Sequence, residues 1–239
     1  MDETIGILRE HRARYPEMRP QDCVKLLYQS EFGSGHMIAD PGKSLERIRK
    51  EWNEVREMKN AGADCAKKTS CVIEEIGDGM CGSGKTTLGT VLAEVYGCNL
   101  FHMDDFFLRP EQRVPERLAE PGGNVDYERF QEEVLDHLKG PEGLSYRVYD
   151  CSVRRLTETV TVPYSRLNII EGAYSQNPYF HDPYDLRFFC SISEEEQKAR
   201  ILRRNGPEML KKFQEIWIPM ENRYFETFRL RDKNIVLEL

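Results

Sequence analysis

The sequence predicts an α/β fold with three layers, in which helices cover both faces of a mostly parallel sheet. From residue 71 onward, short apolar segments typical of strands alternate with segments of helical periodicity. This alternation is the signature of βαβ units and a parallel sheet. Before residue 71 the periodicity is helical only. The 239 residues are enough for one such domain and a small helical N-terminal segment.

Each predicted strand is a short apolar segment, and the helices fall between the strands. The strands are predicted at residues 71–76, 99–103, 167–170, 186–192 and 234–237. The helices are predicted at residues 85–96, 127–138, 194–204 and 217–228. Glu74 and Glu75 do not fit this pattern well, because a central parallel strand is buried on both faces and should be nearly all apolar.

The first 70 residues are predicted to form a separate helical segment followed by a linker. Ile5 and Leu8 mark a first amphipathic helix, a second begins near Pro20, and a third contains Trp52. Residues 60–70 are small and polar, as in linkers. We therefore divide the chain into residues 1–70 and 71–239. The face around Trp52 packs either onto the second region or onto another copy of the chain, so a homo-oligomer is one arrangement that the sequence allows.

Composition limits the classes of function. The net charge of −7 argues against nucleic acid as a partner, since phosphate backbones are bound by clustered Lys and Arg. The apolar segments are far shorter than the roughly 20 residues of a membrane span, so no membrane partner is expected. The N-terminus lacks the features of a secretion signal, which makes the cytoplasm the default expectation. The seven cysteines have no C-x-x-C spacing, which argues against a disulfide framework or a zinc site.

Residues 79–86 read G-M-C-G-S-G-K-T and match the pattern G-x-x-x-x-G-K-[ST] at every fixed position. Glycines let the backbone curl so that successive amides point at phosphate oxygens, and a helix N-terminus adds a favourable dipole. The motif requires a loop between a strand and a helix, which is where this segment is predicted. We therefore expect a P-loop NTPase fold that binds a nucleotide.

Two side chains of this motif have separate roles in nucleotide binding. Lys85 would place a cation between the β- and γ-phosphates, and the Thr86 hydroxyl can bind Mg²⁺. ATP is the expected nucleotide, because the sequence contains no Asn-Lys-x-Asp guanine signature. The predicted nucleotide contacts are Gly79, Met80, Cys81, Gly82, Ser83, Gly84, Lys85, Thr86 and Thr87.

Residues 76–228 resemble the uridine kinase and phosphoribulokinase family of P-loop kinases. The segment H-M-D-D-F-F at 102–107 is similar to the family's S-x-D-x-F-Y segment, and the resemblance implies that Asp104 is the catalytic base. Transfer to a sugar hydroxyl needs such a carboxylate near the γ-phosphate to orient the nucleophile and take its proton. Asp104 and Asp105 could instead cap the turn that follows, and for Asp105 this reading is the simpler one.

Two further segments carry the resemblance. Residues 167–172, L-N-I-I-E-G, look like the family's h-h-h-E-G segment, which implies that Glu171 holds Mg²⁺ directly or through water. Residues 194–206 resemble the arginine-bearing lid of these kinases, which implies that Arg203 and Arg204 stabilise the charge on the transferring phosphoryl group. For Arg200 a solvated helix face, acidic at its start and basic at its end, explains the pattern equally well.

The expected acceptor contacts are Asp126, Tyr149 and Arg154. Asp126 closes a segment similar to the family's N-x-D, whose aspartate contacts sugar hydroxyls, but it could equally be the N-cap of the next helix. Tyr149 and Asp150 resemble a tyrosine-aspartate pair near the base pocket. Arg154 stands where uridine-specific members carry histidine, which puts uracil recognition in doubt, because arginine offers only donors and a fixed charge.

The resemblance therefore implies an ATP-dependent kinase that transfers the γ-phosphoryl group to a hydroxyl of a small-molecule acceptor. A nucleoside is the first expectation for the acceptor. Pantothenate kinase-like and phosphoribulokinase-like activities are alternatives of the same class. A nucleotide-binding regulatory module without catalytic activity is the alternative from another class.

Overall fold

A computed structural model of the chain describes residues 2–14 and 72–238. The second and third predicted N-terminal helices and the linker lie outside these described residues. The described residues belong to two compact units, one with α1 (Asp2–Arg14) and residues Thr90–Gly97, the other with residues 72–89 and 98–237. In α1, Ile5 and Leu8 are buried, as their spacing in the sequence predicts.

Five strands form one sheet, in the order β2 (Asn99–His102), β5 (Leu167–Glu171), β1 (Val72–Gly79), β6 (Leu186–Ser191) and β7 (Ile235–Glu238). The pairs β2·β5, β5·β1 and β1·β6 are parallel, so the prediction of an α/β fold with a mostly parallel sheet is confirmed. Since β1 is central, the loop after it lies beside the ends of β2 and β5, where sites in open α/β sheets form.

The central strand forms despite the two adjacent glutamates. Glu74 and Glu75 lie in the ladder with both neighbouring strands, opposite Ile169 and Ile170 of β5 on one side and residues 186–187 of β6 on the other. The register shifts between Ile76 and Asp78, so a bulge precedes the loop. The strand continues to Gly79, three residues beyond the predicted end.

The helices that follow the sheet strands are irregular at two places. The segment predicted as a helix over 127–138 is one turn of α-helix followed by a π turn, Gln131–Leu135. The helix predicted over 194–204 extends to Lys212 but is interrupted at Gly206 (φ 78°, ψ 172°), and a second π turn leads into the next helix. The helices are α2 (Lys85–Tyr96), α3 (Pro115–Leu118), α4 (Tyr127–Phe130), α5 (Glu194–Lys212), α6 (Ile218–Phe228) and α7 (Leu230–Lys233).

An antiparallel hairpin of β3 (Leu144–Asp150) and β4 (Arg155–Val162) forms a second, two-stranded sheet that the sequence analysis missed. Leu144 and Tyr146 of β3 are buried, while Ser145 between them and Arg147 after them are exposed. Two-residue alternation of this kind is the pattern of a half-buried strand.

An aromatic core fixes the turn at the end of β2. The ring of Phe106 packs edge-on against Phe130 at 4.9 Å and stacks with Tyr146 at 5.4 Å between centroids. Phe106 belongs to a 3-10 turn, Met103–Phe106, whose Met103 is also buried. The turn is therefore held at both ends, and Asp104 and Asp105 lie between these anchors.

Within the described residues, no helix is both long and apolar enough to cross a membrane.

Candidate functional site

The loop at residues 79–86 connects the central strand to α2 and takes backbone conformations that favour glycine. Gly79 has φ 141° and Gly82 has φ 77°. A Cβ atom on Gly79 would lie 2.2 Å from the carbonyl oxygen of Cys190 on β6, so no larger residue fits there. The strand–loop–helix context that the motif requires is present. A curled loop of this kind at a helix N-terminus is an anion-binding concavity.

Two polar side chains of the loop are arranged for an anionic ligand. Lys85 Nζ donates hydrogen bonds to the carbonyl oxygens of Gly79 (2.7 Å) and Met80 (2.9 Å). Burial alone would lower the pKa of Lys85, but the negative charge of Glu221 and other nearby acids raises it above its ordinary value, so the ammonium is charged. Ser83 Oγ is buried without a hydrogen-bond partner among the described residues. A phosphate oxygen would satisfy that hydroxyl.

Thr86 and Glu171 come together next to the loop. The Thr86 hydroxyl donates a hydrogen bond to Glu171 Oε2 at 3.2 Å. The other oxygen of this carboxylate is bound by His102 Nδ1, because His102 and Glu171 are opposite each other in the pairing of β2 with β5. This hydrogen bond raises the pKa of His102, although its partial burial acts the other way.

The residues present fit a magnesium ion bound together with a nucleotide. Mg²⁺ prefers oxygen ligands and is usually held by one or two carboxylates plus substrate phosphates and water. Thr86 and Glu171 supply a hydroxyl and a carboxylate beside the phosphate loop. In the described part of the chain, no three His, Cys, Asp or Glu side chains cluster as a metal cage. The oxygen donors of the two residues therefore suit an ion that takes its remaining ligands from the nucleotide and water.

Asp104 and Asp105 lie side by side in the turn after β2 but have different surroundings. Asp104 is exposed at the surface. Desolvation by the surrounding protein raises the pKa of its carboxyl group, and the nearby charge of Glu171 raises this pKa further. Asp105 is tied into the fold, since its carboxylate accepts a hydrogen bond from Tyr146 Oη (3.3 Å) and its carbonyl one from Arg129 (2.8 Å). Asp104 is thus the carboxylate of the pair that is accessible to a substrate.

One predicted lid arginine reaches the loop. Arg200 Nη1 donates to the carbonyl oxygen of Ser83 at 3.1 Å, while its Nε donates to Glu196 Oε1 at 2.8 Å. Arg203 and Arg204 are exposed further along α5, and the Arg204 side chain donates to Asn205. Their catalytic role stays a prediction.

The predicted acceptor contacts differ in accessibility. Asp126 is buried, caps α4 by accepting a hydrogen bond from the amide of Arg129 (3.3 Å), and also accepts one from the Arg129 side chain (3.4 Å). Tyr149 is buried in β3, whereas Arg154 is exposed at the hairpin turn with φ 56°. The capping function foreseen for Asp126 is present, and binding of the acceptor by these three residues stays a prediction.

Two buried acids beside the loop were missed by the sequence analysis. Asp78, directly before Gly79, is fully buried, and its Oδ2 accepts a hydrogen bond from Tyr224 Oη at 2.7 Å. Glu221 of α6 is buried, and its Oε2 accepts a hydrogen bond from the amide of Cys81 at 3.0 Å. A signal existed for Glu221, since it lies three and four residues before Tyr224 and Phe225 and so on the apolar face of α6.

Comparison with known proteins supports the fold. No family model and no curated protein matches the sequence. A solved structure described as a possible uridine kinase from Bacillus stearothermophilus matches with a TM-score of 0.56 and 21% identity, over 80% of this chain and 98% of that one. D-glycerate 3-kinase from Cryptococcus neoformans var. grubii matches with a TM-score of 0.46 and 17% identity, over 69% and 82%. The likeness to the first of these structures confirms the P-loop NTPase fold that the sequence predicts.

Proposed function

We propose that this protein is an ATP-dependent kinase that transfers the γ-phosphoryl group to a hydroxyl of a small metabolite, with a nucleoside as the acceptor. One observation carries the proposal. The phosphate loop, the pair Thr86–Glu171 and the accessible Asp104 all lie at the carboxyl ends of three adjacent strands, β1, β5 and β2. Phosphoryl transfer requires these three components close together.

In this proposal the residues act from the positions described above, and Lys85 changes its hydrogen-bond partners. The loop amides and Ser83 Oγ bind the phosphates, and Lys85 exchanges the carbonyls of Gly79 and Met80 for phosphate oxygens. Thr86 and Glu171 would hold Mg²⁺, which neutralises charge on the phosphates when it is bound. The Asp104 carboxylate accepts the proton of the acceptor hydroxyl and orients that oxygen. Its raised pKa makes it a stronger base than an ordinary aspartate.

Arginines complete the proposed site. Arg200 already contacts the loop and would support charge developing on the transferred group. Arg203 and Arg204 would join when the lid closes, and Gly206, which interrupts the helix two residues later, supplies a natural hinge. The same closure would exclude water from the reacting phosphate.

The nucleoside rests on the resemblance of Asp126 and Tyr149 to the family's acceptor contacts and is the finer part of the proposal. Arg154 is exposed where the uridine-specific members of the family carry histidine. Because arginine only donates hydrogen bonds, it favours a substrate with an anionic group, or with several hydrogen-bond acceptors, over uracil. A panel of nucleosides, pantothenate and sugar phosphates, with release of ADP from Mg-ATP as the readout, would rank the acceptors. If the protein phosphorylated only pantothenate or only a sugar phosphate, that compound would replace the nucleoside as the proposed acceptor, and the protein would still be a small-molecule kinase.

Asp104→Asn tests the chemistry directly. We expect transfer to fall by about 10²- to 10⁴-fold, the usual contribution of a positioned base, while ATP affinity measured by calorimetry changes little. Asp105→Asn, which alters the neighbouring residue that is tied to Tyr146, is the matched control and should retain most activity. A wild-type protein that binds ATP but transfers phosphate to none of the acceptors would instead favour the nucleotide-binding module.

A further inference from the structure

Both main-chain polar groups of Cys81, the third residue of the phosphate loop, are bound by side chains from distant helices. The Cys81 amide donates to Glu221 Oε2 of α6 at 3.0 Å. Its carbonyl oxygen accepts from Gln197 Nε2 of α5 at 2.9 Å. Glu221 and Gln197 are only 6% and 2% exposed. We call this arrangement of Cys81, Gln197 and Glu221 the loop clamp.

The loop clamp is a buried polar arrangement whose parts depend on one another. Burial of the Glu221 carboxylate carries a desolvation cost, and the positive charge of Lys85 and the Cys81 amide partly compensate it. If the carboxylate were removed, the Cys81 amide would lose its acceptor inside the protein. The hydrogen bond therefore restrains the loop at that peptide more strongly than an exposed one would.

Helix α5 also contacts the loop at the two residues that follow Cys81. Ile201 of α5 would lie 3.3 Å from a Cβ atom on Gly82, so the helix packs directly beneath this glycine. Arg200 of α5 donates to the carbonyl oxygen of Ser83. The carbonyl oxygens of Cys81 and Ser83 are therefore both bound by side chains of α5.

We propose that Glu221 and Gln197 are positioning residues that hold the Cys81 peptide in place, so that the following loop amides are preorganised for the terminal phosphates of a nucleoside triphosphate. The inference deepens the proposed function, on which its choice of ligand rests. Neither residue needs to touch the nucleotide. The hydrogen bond of Glu221, rather than its charge, is the part that matters, and Gln at position 221 can still accept from the Cys81 amide.

Amide hydrogen exchange, read by mass spectrometry on the peptide covering residues 79–88, tests the positioning role without a ligand. In Glu221→Leu we expect exchange of this peptide to be about 10-fold faster or more, as for a buried donor that has lost its acceptor. Glu221→Gln should exchange like wild type. The control is Glu226→Leu, which alters an exposed glutamate of the same helix. Loop exchange in a folded Glu221→Leu equal to that of wild type would overturn the proposal.

Calorimetric titration with Mg-ADP then tests the consequence for binding. We expect Glu221→Leu to bind at least about 10-fold more weakly than wild type. Glu221→Gln should bind at least as tightly as wild type, because one negative charge near the phosphates is gone. Weak binding by both variants would show that the charge dominates and would overturn the positioning role. A wild-type protein that binds no nucleotide would refute the proposed function, while the exchange experiment would still decide on the clamp.

Gln197→Met keeps the test decisive if Glu221→Leu does not fold. This variant removes the donor to the Cys81 carbonyl from the other side and leaves a flexible apolar side chain of similar length. Faster exchange of the same loop peptide, with the global unfolding transition preserved, would support the proposal. Unchanged exchange in a folded Gln197→Met would contradict it.

Discussion

Asp78 shows how strongly one residue beside the loop is constrained. Its two carboxylate oxygens accept hydrogen bonds from Tyr224 Oη and from the amides of Gly79, Tyr174 and Gln176. Burial raises the pKa of Asp78 from 3.8 to about 6 despite these donors. Between these two pH values the folded protein holds a proton that the unfolded chain has released. The contribution of Asp78 to stability is therefore full below about pH 4 and is lost as the pH rises through 6.

Asp78→Asn should reduce the pH dependence of the free energy of unfolding between pH 4 and pH 6. The shift of about two pH units corresponds to roughly 3 kcal/mol, so the free energy of unfolding of the wild type should fall by up to that amount between pH 4 and pH 6 through this residue alone. Chemical denaturation at a series of pH values would compare wild type with Asp78→Asn, and Asp182→Asn, on the surface, controls for loss of one carboxylate. An equally steep fall in Asp78→Asn would assign the pH dependence to other groups.

At the scale of elements, α1 completes the C-terminus of α2. Arg12 of α1 donates to the carbonyl oxygens of Val95 (3.2 Å) and Tyr96 (3.1 Å), and Arg9 donates to that of Glu94 (2.8 Å). The last carbonyls of a helix lack partners within the helix and carry the negative end of its dipole. Since α2 has no basic residue in its own last turn, α1 supplies the cations.

Arg12→Ala should therefore destabilise the protein by about 1–2 kcal/mol, the range for a cation at a helix C-terminus that also makes hydrogen bonds. Chemical denaturation would measure the loss, and Arg12→Lys should restore part of it, because lysine keeps the charge but loses the packing of the guanidinium over the Tyr96 ring. Glu10→Ala, an exposed change on the same helix, is the control. Equal stability of Arg12→Ala and Glu10→Ala would mean that the cap contributes nothing.

The elements also show which features the sequence could reveal. The strands that end at the site were predicted because each is a short apolar segment. The glycine motif and the acids Asp104 and Glu171 were found because they too lie in short local patterns of the sequence. Strand β4 was missed because most of its residues are exposed and its alternation is weak. The contact between Glu221 and Cys81 joins residues 140 positions apart, so no local pattern encodes it. Asp78 was missed for the same reason, since its partner Tyr224 lies 146 residues away.

At the scale of the whole molecule, the proposed function requires an acidic chain to bind a highly anionic ligand. The net charge of −7 repels ATP at a distance, so affinity has to come from the local field of the loop amides, Lys85 and Arg200. A ligand that binds only the folded protein raises the free energy of unfolding, by about 2.7 kcal/mol when its concentration is 100 times the Kd. Mg-ATP at that concentration should therefore raise Tm by roughly 5–10 °C for a chain of this size.

Thermal unfolding with and without Mg-ATP would measure this shift, and two comparisons locate its origin. AMP, which lacks the β- and γ-phosphates, should raise Tm much less, because the proposed site binds the terminal phosphates. Lys85→Met should lose most of the shift, since it removes the one cation of the loop itself. An equal shift with AMP, or one that survives in Lys85→Met, would place the nucleotide away from residues 79–86. No change in Tm at millimolar Mg-ATP would mean that repulsion by the acidic protein outweighs the attraction of the loop. The loop would then not bind the nucleotide for which its geometry is suited.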